Sequence, residues 1–522
     1  MVWRNDQVKK PGTKPADGKT RGSRVAERAT AALRYQAMVA AYYFPRAQDY
    51  ARHVAASAGA VREPTTGLTT FFTERHLQCV WFDERLRPAL TTHEGEPVVV
   101  EDPGVWNLEE GPDFLGAVLR VGPDRRRLAG DVEAHIHPAD WKHHGHAADP
   151  RYQRVRVHFT YFPGPIQTDL LPPGTVHIAC KQAMAANPFF SFDNIDVALY
   201  PHAARGTPPP CQHILAKWDP DRRAAVLEAA GEERLRRKAE RLAAAIQEKG
   251  ANQALYEDVL CALGYKHNKT PFRLLAERLT HADLMAATGQ QPEVAYALLM
   301  GVAGLLPEKS PAGADEETRG FVRQMWDIWW KHRERWADRI LPRAAWHLGG
   351  LRPANHPARR LMAAAQVFCR TAPAESWMAM AAQGADLVEE QAGRWLSAPA
   401  RTYWSQHVSL GGRKSARPTE LIGPERAQAI LINVLIPFLA AANRPGTFRH
   451  QWLRQLPAEN GNSLIRQTAL NLFGPDHSPT LYRHGLRQQG LLQIFHDFCL
   501  NDRSRCAACS LPRCLKDQTI SA

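Results

Sequence analysis

Apolar positions change period as the chain is followed. From Thr73, a natural N-cap, Glu74, Leu77, Trp81 and Leu86 recur at helical spacing until Pro88 ends the pattern. Past Pro88 the period shortens. Pro97 to Glu101, Phe114 to Val121, Leu128 to Ile136 and Val155 to Phe162 are short branched or aromatic runs divided by Gly, Pro and Asp, which predicts strands. Residues 30–62, rich in Ala with Tyr and Arg, predict a helical lead-in. A Pro-rich stretch from Gly206 to Pro210, followed by Cys211, marks a boundary. Beyond it, Ala, Leu, Arg and Glu take up helical periodicity over 220–248, 253–264, 292–305, 318–340, 357–368 and 425–442. The expected architecture is an α+β domain over 31–205 followed by a mainly α-helical domain over 211–495. No repeat of fixed length carries a named solenoid signature, although an array of helical pairs stays open.

Composition adds scale and charge. The 522 residues are roughly three to four times a typical domain length, so more than one compact unit is expected. An apolar share of 44% and a charged share of 23% exclude general disorder. The net charge of +13 implies a field that attracts polyanions, nucleic acid or an acidic membrane surface, and charge alone does not choose between them. Part of it lies in residues 1–30, where Arg and Lys mixed with Pro and Gly read as a disordered basic tail. No apolar run approaching the ~20 residues of a bilayer span and no secretion signal is evident, which predicts a cytoplasmic chain with no membrane partner. Of nine cysteines, Cys79, Cys180, Cys211, Cys261 and Cys369 are scattered, while Cys499, Cys506, Cys509 and Cys514 cluster in a tail over 496–522. A disulfide framework is not expected. Nor is there a Gly-rich phosphate loop, a nucleophile elbow or a helical His-Glu-x-x-His pair, which counts against nucleotide-driven motors, serine hydrolases and zincin proteases.

The chemistry concentrates between Gly111 and Phe159. Alternation puts Glu133 and His135 on one face of a strand, with Asp131 beside them and Val132, Ala134 and Ile136 opposite. A hairpin through Gly122 to Arg127 brings Asp113 toward that face, and Glu74 on the preceding helix is within range of the same place. Two carboxylates converging from adjacent strands suit a hard cation, Mg²⁺ or Mn²⁺, of the kind that polarises phosphates and generates hydroxide. Asp113, Glu133, His135 and His146 are the candidate ligands, and Glu74, Asp113, Glu133 and His135 the candidate catalytic set. Around them lie His137, Asp140, His143, His144 and Asp149, in a segment broken by Pro138, Gly145 and Pro150. This loop reads either as a transition-metal site or proton-transfer group, or as a polar surface loop packed by Trp141 and Tyr152.

This order of elements, with Pro112-Asp113 and with Glu133 two residues before His135, resembles the PD-(D/E)XK nuclease superfamily. The resemblance implies a restriction-endonuclease-like αβββαβ core and a metal-dependent nuclease acting on DNA or RNA. Asp113 matches the first acid and Glu133 the second; His135 stands where that superfamily has lysine. The chain from Thr73 onward also resembles a bacterial family of uncharacterised proteins, domain-of-unknown-function family 2851. That resemblance rests on Glu74 with Trp81, Gly111-Pro112-Asp113-Phe114, Gly130-Asp131-Val132-Glu133-Ala134-His135, and Asp140-Trp141 with His144, His146 and Tyr152. Leu263-Gly264-Tyr265-Lys266 with Asn268, Arg352-Pro353-Ala354-Asn355-His356-Pro357 and Gln488-Gln489-Gly490 complete the set.

Three functions follow as expectations: a metal-dependent nuclease, a non-catalytic nucleic-acid-binding protein with a degenerate nuclease fold, and a transition-metal hydrolase using the histidines. Cys499, Cys506, Cys509 and Cys514 carry four thiols at spacings that suit zinc or an iron–sulfur cluster, or form an unmetallated tail. Arg234, Arg236, Arg237, Lys238 and Arg241 predict a basic helix face, either solvated or bound to phosphate. Met325-Trp326-Asp327-Ile328-Trp329-Trp330, followed by Lys331, Arg333 and Arg335, reads as core with a solvated face or as a stacking surface. Lys266, His267, Asn268 and Lys269 read as a phosphate contact or a cap.

Overall fold

In the strand region both faces of the central ladder are covered, so burial along it is continuous where alternation alone would leave one face wet. The computed structural model describes residues 43–516, apart from 56–60, 66–67, 109–110, 166–167, parts of 187–207, 266, 350, 384–387, 398–401, 445, 460–462 and parts of 500–508. The basic tail over 1–30 and Lys266 lie outside the described residues.

Nine strands are present among the described residues: β1 (Val61–Thr65), β2 (Leu68–Phe72), β3 (Leu90–Thr91), β4 (Pro97–Asp102), β5 (Val105–Trp106), β6 (Phe114–Val121), β7 (Arg126–His135), β8 (Val155–Thr160) and β9 (Val176–Ala179). β1 and β2 pair by themselves, and the rest form a mixed seven-stranded sheet in the order β3-β4-β6-β7-β8-β9, with β5 on β6. β6 is antiparallel to both β4 and β7, and β8 and β9 run parallel to β7. The β6–β7 hairpin turns between Val121 and Arg126, with Gly122 at φ 80 and Arg125 at φ 54. Near its far end Gly116, at φ 72, makes a bulge, and its N–H donates to Asp131 Oδ1 at 2.9 Å. Asp131 is therefore held by the bulge.

Helix α1 (Ala47–Ala55) precedes the sheet, and α2 (Glu74–Phe82) packs on its apolar face. Thr73 begins α2 in extended backbone and His76 Nδ1 accepts the Thr73 N–H at 3.1 Å, the reciprocal half of a capping box with histidine in place of glutamate. Leu77, Val80 and Trp81 are fully buried there against Val132, Ala134, Phe159 and Ile178.

From Pro210 onward the chain is helical. Its axis is α3 (Pro220–Lys249), capped by Asp219 and begun by Pro220 at N1, so that the missing proline N–H costs nothing. α4 (Ala251–Leu263) packs on it and α8 (Gly485–Ile494) lies along it, while α5 (Pro292–Val302), α6 (Glu316–Trp336) and α7 (Pro357–Phe368) extend the same helical core. The run over 424–442 contains a π-helical turn, Leu431–Leu435. By length and composition Pro424–Ala442 is apolar enough to cross a membrane, contrary to the sequence reading; here Leu431, Leu435, Ile436, Phe438 and Leu439 are fully buried in the helical core.

The two halves interleave. Tyr43, Phe44 and Ala47 belong to the helical core, and Phe495 belongs to the core of the sheet. The expected boundaries at 31–205 and 211–495 therefore mark changes of element type while the packing crosses them.

Candidate metal centre

The site face of the sheet is set by register. Glu133 pairs with His158, and His158 with His177, so alternation gathers Glu133, His135, His158, Thr160 and His177 on one side. The crossover from β7 to β8, residues 136–154, folds back over this face. Trp141 and Tyr152 are buried beneath it, Trp141 Nε1 donates to the Leu170 carbonyl at 2.9 Å, and Tyr152 stacks on His146 with centroids 3.9 Å apart. Gly145, at φ 74, makes the turn that presents His144 and His146 together.

Three imidazoles converge as a result. His135 Nε2 lies 3.2 Å from His146 Nε2 and 3.2 Å from His144 Nδ1, and the three ligand atoms all fall within 4.8 Å of one another. Glu133 Oε1 adjoins two of them, 3.2 Å from His146 Nε2 and 3.5 Å from His135 Nε2. His135 is fully enclosed and His146 and Glu133 are buried, while His144 is exposed, so the cluster has one wet side.

Behind His135 runs a histidine ladder. His135 Nδ1 is 3.0 Å from His158 Nε2, and the His158 and His177 rings lie 5.1 Å apart. The Thr160 hydroxyl donates to the Phe162 carbonyl at 2.8 Å, so at 2.9 Å it accepts from His177 Nε2. That assigns the Nε2–H tautomer to His177 and leaves its Nδ1 with a lone pair. Neither His158 Nδ1 nor His177 Nδ1 has a hydrogen-bond partner. Burial, reinforced by the neighbouring His158, His144 and His146, holds His135 well below the usual imidazole range. Burial likewise lowers His158 to about 3 and His177 to about 4.

Asp113 sits beside this cluster as a brace. Its backbone N–H donates to Glu133 Oε2 at 3.0 Å, its Oδ2 accepts from the Ala134 N–H at 3.0 Å, and its Oδ1 accepts from Gln78 Nε2 at 2.5 Å. Gln78 is one turn after Glu74 on α2, and it is Gln78 whose side chain meets Asp113; Glu74 is half-buried at the start of that helix. The other loop residues point elsewhere. His137 stacks on Phe162, Asp140 Oδ2 accepts from the His137 N–H at 2.8 Å, and His143 is 69% exposed beside Asp140. Asp149 is paired with Arg151, whose hydrogen bonds lower its carboxyl to about 2.

Among the described residues, the only other place where three such ligands converge is Asp315, Glu317 and His407, where Asp315 caps α6 and Glu317 binds Lys414 at 2.7 Å. Of the terminal cysteines, Cys514 belongs to, and Cys509 packs against, a core built from residues 211–230 and 465–515, and Cys499 packs against the core of the sheet. In the helical half, Trp329 and Trp336 are core, whereas Trp330 is 65% exposed with the Arg333 guanidinium 5.3 Å from its ring. Asn268 is buried and exchanges two hydrogen bonds of 2.9 Å with the backbone of His347, which makes it a clasp.

Sequence reasoning singled out Glu133, His135 and His146 but ranked His144 no higher than His143, and it passed over His158 and His177. Alternation along Val155 to Phe162 already set His158 apart from Val157 and Phe159; what was missing was the register that carries it to His135. No curated protein and no solved structure matches the chain. A family model described as "Protein of unknown function (DUF2851)" matches residues 74–462, from the first residue of α2 through most of the helical half, and the chain belongs to that family.

Proposed function

We propose that this protein is a metal-dependent hydrolase of phosphodiester bonds in nucleic acid, its ion held by His135, His144 and His146. The observation that carries the reading is the pair of 3.2 Å separations around His135 Nε2. Bonds of about 2.0–2.1 Å arranged tetrahedrally set ligand atoms about 3.4 Å apart. Three imidazoles would suit zinc or a similar transition ion better than Mg²⁺, which prefers oxygen ligands. When bound, such an ion polarises a phosphoryl oxygen and lowers the pKa of a coordinated water to about 7.

The chain's own groups support that chemistry. Glu133 Oε1, beside the ring nitrogens, is placed to accept a proton from the attacking water, and the Asp113 N–H holds the other oxygen of the same carboxylate. An ion on His135 Nε2 would leave its Nδ1–H to donate to His158 Nε2, 3.0 Å away, which would fix the His135 tautomer. The phosphodiester class rests on the net charge and on the order α2, β4, β6, β7, then β8 parallel to β7. That order resembles the PD-(D/E)XK core, with short turns where that core has its second helix.

The test is stoichiometric metal analysis of purified protein, joined to cleavage of labelled single- and double-stranded DNA and RNA after chelation and re-addition of Zn²⁺, Mn²⁺ or Mg²⁺. About one transition ion per chain, lost in His146→Ala, and cleavage restored by Zn²⁺ or Mn²⁺ and reduced at least 100-fold in Glu133→Ala are expected. Cleavage supported by Mg²⁺ alone and indifferent to His144→Ala and His146→Ala would overturn the assignment.

A further inference from the structure

On the basic face of α3 several guanidinium groups meet carboxylates. Arg236 binds Glu233 at 2.6 Å and also Glu240, Arg237 binds Glu233 at 2.7 Å and Asp497 at 3.2 Å, and Arg241 binds Asp258 at 2.9 Å. Those charges are answered within the fold. Lys238 is different, because its ammonium donates to two neutral amide oxygens, Asn433 Oδ1 at 2.5 Å and Gln489 Oε1 at 3.2 Å. Arg234 Nε shares that same Gln489 oxygen at 3.1 Å. Gln489 lies on α8, Asn433 in the π-helical turn Leu431–Leu435, and a second π-helical turn, Phe495–Cys499, brings His496 to the same neighbourhood. π turns sacrifice regular helix geometry and recur where side chains must be re-aimed for function.

We propose that Lys238 and Arg234 form a binding site for a backbone phosphate of a polynucleotide; the occupant, though not the site, rests on the function proposed above. A cation buried against amide dipoles loses much of its hydration, and an anionic oxygen repays that loss more fully than a neutral one. Its surroundings add to the demand. Burial first, then the charges of Arg234, Arg241 and Lys269, hold Lys238 well below the usual lysine range, with Glu459 opposing them.

The test is fluorescence anisotropy of labelled single- and double-stranded oligonucleotides with full-length protein in a chelator, so that binding is read without cleavage. Lys238→Met is expected to weaken binding about tenfold or more, the value of one charge-assisted hydrogen bond, and to lower the slope of log K against log salt by about one. Arg234→Ala is expected to act in the same direction, and it guards against a folding defect in Lys238→Met, with thermal melts checking both. Arg394→Gln, which removes an exposed charge paired with Glu390, reports the effect of net charge alone. Unchanged affinity and slope in folded Lys238→Met and Arg234→Ala overturn the proposal. So does a wild type that inorganic phosphate stabilises through Lys238 but that binds no oligonucleotide. Lys238-dependent binding in a protein that cleaves nothing, or that keeps it in His146→Ala, upholds this site and counts only against the hydrolase reading.

Discussion

At the scale of single residues, the fold has kept a row of imidazoles neutral. In the unfolded chain His135, His158 and His177 titrate near 6.5, whereas in the fold His158 and His177 do so near 3 and 4 and His135 lower than usual. Below about pH 6.5 the unfolded state binds more protons, so these residues withdraw stability as pH falls toward their folded values and contribute nothing further above 6.5. Denaturant titrations of metal-free protein between pH 7.5 and 5 are expected to show stability falling by as much as ~1.4 kcal/mol per pH unit for each histidine. A flat profile would mean that these rings are solvated. His158→Gln is expected to weaken metal binding 10- to 100-fold, as loss of a group that orients a ligand does, measured by chelator competition with the fold intact by circular dichroism. How much of this was readable depended on distance along the chain. Glu133 and His135 share a face by alternation alone, but choosing His144 over His143 requires the phase of a one-turn helix, Asp140–His143, followed by a left-handed glycine, and sequence spacing does not supply it.

At the scale of elements, α3 and α8 touch backbone to backbone. A Cβ on Gly490 would stand 1.9 Å from the Leu227 carbonyl oxygen, and one on Gly231 2.1 Å from that of Leu486. Side chains on neither helix can fill that line, so the helices approach closely enough for Gln489 to reach Arg234 and Lys238 together. Gly490→Ala is expected to cost about 1–3 kcal/mol or more by overpacking, read from urea unfolding, and to weaken oligonucleotide binding along with it. An Ala variant as stable as wild type would show that the helices are free to separate. The helices themselves were legible: 357–368 was expected and Pro357–Phe368 is present, and 220–248 became Pro220–Lys249. The strands at 114–121 and 155–162 likewise held to within two residues. The π turn at Leu431–Leu435 was not legible, because its apolar run fits α and π spacing alike; Pro437, with no N–H to donate, follows it directly. α8 went unseen because Gln488, Gln489 and Gln493 are buried on a helix whose apolar residues form no stripe.

At the scale of the whole molecule, composition told which element would form and was silent about its partner. Residues 43–55 read as the lead-in to the sheet domain, yet the Tyr50 hydroxyl donates to Asp497 Oδ2 at 3.0 Å and Arg46 pairs with Glu228. Leu464, Phe495 and Cys499 in turn close the core built by α2 and the sheet. Hydrophobic periodicity is a local quantity, and these contacts join positions hundreds of residues apart. They also set an order of events during synthesis. The last strand of the sheet, β9, leaves the ribosome well before Phe495 is added, by roughly 15–60 s at ~5–20 residues per second. For that interval the nascent sheet carries its histidine ladder with part of its own core still untranslated.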